Sequence, residues 1–390
     1  MKKLHIPLAA AAAATLVLAG CSSQNFGGED TPSETGPIAI GAVLDVTGPG
    51  ASLGVPQQNT LQMLADQLNE AGGIDGREVE LTIVDNQSTE DAAARAVSDL
   101  VEQDDVDIIL GASRTGPSLA MRPVAEQNEI PMISLAANAA IVADSEWVFK
   151  TTQDDRVVLE KILGHASDAG YTRVALLRDA SGFGEGVAET ITELGAERDI
   201  ELVTTESFEP TATDFTAQLT NIRSSDADAA IIWGINPAAA LAQQQYVQLG
   251  VDLPVYQSHG VANQTFFDQA GDAANGAIVP MGRMLVADQL ADDDPQKPVI
   301  EDYVAQYEAE FGEAPNAFGG YAFDAWNIAI EAITAAGTEP EALRDAIAAT
   351  TDHVGVSGVF NYSDTQRSGL TADSVIIAEA EDNAWVLIGE

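Results

Sequence analysis

Residues able to do chemistry in this 390-residue chain sit in the loops that follow short apolar runs. After Asp107–Leu110 comes Gly111-Ala112-Ser113-Arg114-Thr115-Gly116-Pro117. Thr115 or Gly116 can cap a helix and Pro117 suits its first turn. Free N–H groups there, beside the Arg114 guanidinium, form an anion site. Arg114 could equally pair with one of the many carboxylates. Leu135-Ala136-Ala137-Asn138-Ala139 combines small residues, which let a ligand approach the backbone, with one amide to bond it; a plain turn has the same composition. Asp179-Ala180-Ser181-Gly182-Phe183-Gly184-Glu185-Gly186 is glycine-rich, yet it has neither the Gly-x-Gly-x-x-Gly order nor a Gly-Lys-Ser/Thr, so no nucleotide is expected. Phe183 is either a pocket wall or a satellite of the core. Ile235 and Asn236 follow a further run, and so does His259, a lone imidazole that is either structural or functional.

Catalytic constellations are missing. There is no Gly-x-Ser-x-Gly elbow, no His-Glu-x-x-His and no pair of histidines, and Cys21 is the single cysteine. A binding protein is therefore expected rather than an enzyme, with no cofactor and no metal. With 17 Lys+Arg against 61 Asp+Glu, the formal net charge is −44. Nucleic acid and anionic lipid surfaces are excluded as partners, because both would be repelled.

The elements that must position these loops alternate. Ile38–Leu44 is a continuous apolar run, as in a parallel strand buried on both faces. Leu61, Leu64, Ala65 and Leu68 recur at helical spacing, and Gly72-Gly73 ends that helix. Strands are expected at 81–84, 107–110, 130–134, 174–177, 202–205, 229–233, 255–258 and 277–280. Helices lie between almost all of them, at 91–102, 117–128, 156–169, 184–194, 215–224 and 238–249. This order means right-handed βαβ units in open parallel sheets. The series pauses near Trp147–Asp155, so the fold class is α/β with two Rossmann-like lobes and parallel central sheets. Helices at 299–311, 318–336 and 340–349 then precede two last strands at 359–360 and 375–378, as in a chain that covers one lobe and crosses to finish the other.

The N-terminus reads as an export signal. Lys2 and Lys3 precede an apolar stretch from Ile6 to Gly20 that is too short for a transmembrane helix. It closes on Leu18-Ala19-Gly20-Cys21, which resembles the lipobox of bacterial lipoproteins; the resemblance implies a lipid on Cys21. Residues 1–20 are then a signal peptide and 21–36, rich in Ser, Gly, Thr, Pro and acid, a flexible tether.

Taken in order, the loops resemble the leucine/isoleucine/valine-type periplasmic substrate-binding proteins of ABC importers. The resemblance runs from about Pro37 to the C-terminus. It is carried by Ile40-Gly41-Ala42-Val43, Thr47-Gly48-Pro49, Ala71-Gly72-Gly73-Ile74-Asp75-Gly76-Arg77, Thr115-Gly116, Pro131-Met132-Ile133-Ser134, Phe183-Gly184-Glu185-Gly186 and Gly260-Val261-Ala262-Asn263. It implies a type I binding protein with three hinge crossovers, near Thr151, Met281 and Val356. Lobe 1 is then 37–151 plus 282–355, and lobe 2 is 152–281 plus 356–390. The implied ligand positions are Leu53, Arg114, Thr115, Ala136, Asn138, Phe183, Ile235 or Asn236, His259 and Phe318.

Relatives that bind α-amino acids often place an acid where this chain has His259. Burying an ammonium without a carboxylate partner costs several kcal/mol. The expected ligand is thus a small carboxylate with an apolar or aromatic body, unless Asp45 or Asp324 swings in as the missing acid. The implied function is capture of an amino acid or related carboxylate by an exported, lipid-anchored monomer that delivers it to ABC permease subunits. A lipid-anchored ligand sensor is the alternative, and a secreted hydrolase is third.

Overall fold

The structure, a computed structural model, describes residues 36–363 and 365–389. The signal segment and the lipidation site Cys21 lie outside the described residues. Strands β1 (Ile38–Leu44), β2 (Val79–Asp85), β3 (Ile108–Gly111), β4 (Met132–Ser134) and β5 (Val148–Lys150) form one sheet in the order β2-β1-β3-β4-β5. Every pair in it is parallel. A second sheet holds β6 (Arg173–Asp179), β7 (Glu201–Phe208), β8 (Ala229–Trp233), β9 (Val255–Gln257) and β10 (Ala277–Met281).

The tail departs from the expected pattern. β11 (His353–Val354) and β12 (Val359–Phe360) form a separate antiparallel hairpin. Only β13 (Ile376–Glu381) and β14 (Ala384–Gly389) join the second sheet, giving the order β14-β13-β10-β9-β8-β6-β7. Both pair antiparallel, so this sheet is mixed rather than purely parallel. The reason is the connection: β13 and β14 are joined by a two-residue turn at Asp382-Asn383, both with positive φ, which only an antiparallel pair can use.

Burial explains the composition of the strands. All five residues of the central β8 are buried, whereas the edge strand β7 is largely exposed or half-buried and carries Glu201, Thr204 and Glu206. Helices α1 (Ala51–Glu70), α2 (Glu90–Glu102) and α3 (Thr115–Asn128) serve the first sheet, and α4 (Asp155–Asp168), α5 (Val187–Ala196), α6 (Thr216–Arg223), α7 (Ala238–Gln248) and α8 (Gln264–Ala270) the second. Their starts follow capping chemistry: the Thr89 hydroxyl accepts from the Ala92 N–H, and the Asp154 carboxylate from the Arg156 N–H.

Helices α9 (Lys297–Phe311), α10 (Ala317–Ala336) and α11 (Pro340–Ala348) follow β10. The first two return to α1, where Asn59 donates to the Tyr307 hydroxyl at 3.1 Å and the Thr60 and Tyr303 hydroxyls lie 2.7 Å apart. Where the chain runs between the sheets, side chains tie the crossing segments together. The Tyr321 hydroxyl donates to Gln153 at 2.8 Å, and Gln153 donates to the Ser357 carbonyl at 2.8 Å. Asp324 accepts from the Val356 N–H at 2.7 Å and the Ser357 N–H at 2.8 Å.

Burial pushes the Asp324 carboxyl up to about 6, although these bonds pull it down. A carboxyl raised in the fold favours the folded state most at low pH. Its contribution is complete below the ordinary value of 3.8 and is lost as pH rises through about 6. Asp324→Asn mimics the protonated acid and removes this slope. In urea unfolding, its stability relative to the parent should rise by about 2–3 kcal/mol between pH 4 and pH 7; a pH-independent difference would mean that the carboxyl is not desolvated.

Candidate functional site

The carboxyl ends of both sheets face one cavity, the place where open α/β sheets take ligands. Lobe 1 contributes Leu53 from α1, Ser113, Arg114 and Thr115 after β3, and Leu135, Ala136 and Ala137 after β4. Lobe 2 contributes Asp179, Ser181 and Phe183 after β6, Pro210 after β7, Ile235 after β8, and His259 and Gly260 after β9. Thr152, Phe318 and Tyr321 close it from the hinge side. Leu53 can stand there because its neighbour is glycine: a Cβ on Gly54 would lie 2.2 Å from the Asp45 carbonyl oxygen.

Eight residues expected from the sequence come together at this cavity: Leu53, Arg114, Thr115, Ala136, Phe183, Ile235, His259 and Phe318. Asn138 and Asn236 do not. The Asn138 side chain is turned to its own backbone, where it accepts from the Ala140 N–H at 2.9 Å, and its amide reaches the Gly182 carbonyl at 3.4 Å. The Asn236 side chain is buried and its amide donates to Asn263 at 2.9 Å. The carbonyl of Asn236 faces Ser52 of α1, whose hydroxyl lies 3.4 Å away. Both asparagines thus stand where loops of opposite lobes touch.

Arg114 lines the cavity, but its charge is already matched. Its Nε donates to the Asp45 carboxylate and its Nη2 to the Ser88 carbonyl at 2.6 Å. Asp45 is wholly buried and also accepts from Asn86 at 2.7 Å. Of the two readings the sequence left open for Arg114, the carboxylate pair is the one the fold makes, with a buried rather than a surface acid. What remains at this corner for an anion is the start of α3, whose first N–H groups receive no capping bond from a side chain, together with the buried Thr115.

His259 lines the cavity as expected. It is buried against Phe183 and Trp233, with ring centroids 5.6 Å and 5.9 Å away. Burial first, and then the nearby Lys150 charge, pull its imidazole down to about 3. At neutral pH it is uncharged, a polar wall that adds no positive potential. Phe183 is both wall and core: it lines the cavity, and its carbonyl accepts from the Trp233 indole at 3.0 Å. Asp45 and Asp324, which could have swung in as the missing acid, are held by Arg114 and by the Val356 and Ser357 N–H groups.

Sequence reasoning passed over Asp179, Ser181, Thr152 and Tyr321. The signal for Asp179 is its place at the end of β6, on the carboxyl edge of the sheet. Its Oδ1 accepts from Ser181 N at 3.0 Å, Ser181 Oγ at 2.7 Å and Gly184 N at 3.2 Å. Gly184 is required there, because a Cβ would lie 2.0 Å from the Asp179 carbonyl oxygen. Burial raises the Asp179 carboxyl, opposed by Ser181, Gly184 and Arg114. Among the described residues no cluster of His, Cys, Asp and Glu suits a metal ion, and no helix is long and apolar enough to cross a membrane.

Two α/β lobes with a cavity between their loops are the architecture of type I periplasmic binding proteins, and the proteins this chain is similar to are solute-binding proteins, not enzymes. The chain belongs to the periplasmic binding protein family, whose model matches residues 37–384. A Leu/Ile/Val-binding protein of Rhizobium johnstonii is 27% identical over 247 residues, 62% of this chain and 66% of that protein. A leucine-, isoleucine-, valine-, threonine- and alanine-binding protein of Pseudomonas aeruginosa is 24% identical over 87% of both chains. Among solved structures, an extracellular ligand-binding receptor of Rhodopseudomonas palustris HaA2 superposes with a TM-score of 0.85, at 28% identity, over 90% of this chain and 99% of its own. The branched-chain amino acid transporter substrate-binding protein of Streptococcus pneumoniae, in complex with isoleucine, gives 0.80 at 25% identity over 91% and 100%.

Proposed function

We propose that this protein is the lipid-anchored substrate-binding component of an ABC importer. It captures a small amino acid or related organic carboxylate between its lobes and delivers it to a membrane permease. One observation carries the reading: a cavity at the carboxyl ends of both sheets, with apolar walls of Leu53, Phe183, Ile235 and Phe318 around the uncapped start of α3. The Leu/Ile/Val-binding protein, the leucine-, isoleucine-, valine-, threonine- and alanine-binding protein and the isoleucine complex named above support it.

In this reading lobe 1 comprises 37–151 with 282–355, and lobe 2 comprises 152–281 with 356–390. The distribution of β1–β5 and of β6–β10 with β13 and β14 between the two sheets supports that division. Cys21 carries the lipid, and the binding unit acts as a monomer outside the cytoplasm.

A thermal-shift screen of the purified protein against amino acids and amine-free carboxylates tests the binding role. A ligand at about 100 times its Kd should stabilise the fold by about 2.7 kcal/mol; no shift across the panel would remove this reading. Delivery requires opening, so the ligand-free protein should be more expanded in solution scattering than the ligand-bound one. Equal radii of gyration would count against a two-lobe trap. Cys21→Ser should move the protein from the membrane fraction to the soluble fraction of the envelope. Retention at the membrane would count against the anchor.

A further inference from the structure

A carboxyl that the cavity does not use sits at the joint between the lobes. Lys150 closes β5 and Asp155 opens α4, so only residues 151–154 separate a strand of the first sheet from a helix of the second. Asp155 is 7% exposed, and neither of its carboxylate oxygens has a hydrogen-bond partner among the described residues. It lies at a crevice where Leu119, Asn138 and Ala140 of lobe 1 meet Glu185 and Val187 of lobe 2. The Asn138 amide reaches across this seam to the Gly182 carbonyl at 3.4 Å.

Nothing around Asp155 compensates a negative charge. Lys150 is the nearby cation, but its ammonium is held 3.2 Å from the Asp154 carboxylate and on the Ala137 carbonyl. The start of α4 could stabilise a carboxylate, yet Asp154 occupies it, accepting from the Arg156 N–H at 2.9 Å. Arg156 itself pairs with Glu160 and Glu193. Arg367 rests on the Phe149 ring, and His259, within the field of Lys150 and Asp154, is neutral. The other facing groups are acids. Asp154 and Asp179 act on Asp155 directly, and Glu185 lines the same crevice. Of the elements packed on α4, α5 carries Glu189 and Glu193, the turn Ala372–Ser374 carries Asp373, and β10 carries no titratable group. Burial therefore raises the Asp155 carboxyl well above 3.8, with Lys150 opposing and the two aspartates adding to the rise.

We propose that Asp155 makes closure of the lobes a proton-uptake step: the closed protein holds it as a carboxylic acid, and opening returns the proton to water. This deepens the substrate-binding reading above and rests on it, because ligand binding is what drives closure. Parting the lobes lifts Asn138 and Ala140 off the crevice and admits water to the start of α4. Hydrated, Asp155 is an ordinary carboxylate. Closing removes that water, and since the neighbouring cations are engaged elsewhere, a proton is the least costly compensation. Linkage fixes the sign. A carboxyl that holds its proton more firmly in the ligand-bound form makes binding tighten as pH falls. Ligand captured in acid is thus released more readily at neutral pH.

The test is calorimetric titration of the parent and Asp155→Asn with leucine, isoleucine and valine at pH 5.5, 6.5 and 7.5. Buffers of different ionisation enthalpy report the protons taken up per ligand bound. Asp179, Asp324 and His259 are common to both proteins, so the difference between them isolates Asp155. The parent should take up about 0.5–1 proton more than the variant at one or more of these pH values. At pH 7.5 the variant, which needs no proton to close, should bind about 10-fold more tightly than the parent, and the two should converge toward pH 5.5. Equal proton uptake with parallel pH profiles would overturn the inference and leave the substrate-binding reading standing. Weaker binding by the variant at every pH would make Asp155 a structural residue and overturn it too. Asp155→Ser carries the same expectations if the asparagine variant does not fold. If none of the three probes binds, solution scattering of the ligand-free proteins decides. A parent more compact at pH 5.5 than at pH 7.5, with a variant equally compact at both, supports the coupling; a parent of unchanged radius overturns it.

Discussion

Arg114→Ala should lower the free energy of unfolding by about 3–5 kcal/mol, the cost of leaving a buried carboxylate without its partner. The orphan would be Asp45, which is wholly buried and would keep only the Asn86 amide as a side-chain donor. Such a loss is a large fraction of the stability of most domains, so reduced ligand binding by this variant would report on folding before it reported on recognition. The double variant Asp45→Asn/Arg114→Met separates the two. It removes both charges, roughly keeps the volume, and should return stability to within about 1–2 kcal/mol of the parent, since a buried pair and an apolar replacement are often close in energy. Urea unfolding of the three proteins checks this. A loss below about 1 kcal/mol in Arg114→Ala would show that the pair is screened like a surface salt bridge.

His259→Gln should change the acid limb of the stability curve. The imidazole is neutral in the fold down to about pH 3, whereas in the unfolded chain it titrates near 6.5. Its contribution is therefore present above pH 6.5 and lost as pH falls toward 3, by about 4–5 kcal/mol in all. Asp324 works in the opposite sense between 3.8 and about 6. Each group accounts for one proton, so the His259 and Asp324 slopes oppose one another across that window, and the carboxyls of Asp155 and Asp179, also raised by burial, act in the same sense as Asp324. With glutamine at 259 the opposing slope disappears, and relative to the parent the variant should gain stability steadily as pH falls from 6 to 4. Unfolding curves at half-unit pH intervals test this; parallel curves for parent and variant would mean that His259 is solvated and titrates normally.

Much of the fold was legible because burial on both faces leaves an unmistakable apolar run. β1 spans Ile38–Leu44 and β8 spans Ala229–Trp233, and both ranges follow from composition alone. β5 escaped notice because three residues, Val148–Lys150, make no run, and its last residue is a lysine. The buried Lys150 is tolerable only because the chain brings Asp154 and the Ala137 carbonyl to its ammonium. β14 escaped for another reason. As an edge strand it is half solvated, and its pattern does not stand out from a turn-rich tail.

Sequence alone determined the order of strands and helices, the loops that reach the cavity, and most of its apolar wall, since each is set by local periodicity and by the rule that ligands sit at strand carboxyl ends. Tertiary structure decided the charges. Arg114 is neutralised by a residue 69 positions away, His259 loses its proton because distant aromatic rings shut out water, and Asp179 keeps a bare oxygen because its own turn occupies the other. Coulomb and desolvation energies depend on distance through space and on access to water, and neither is a property of position along a chain.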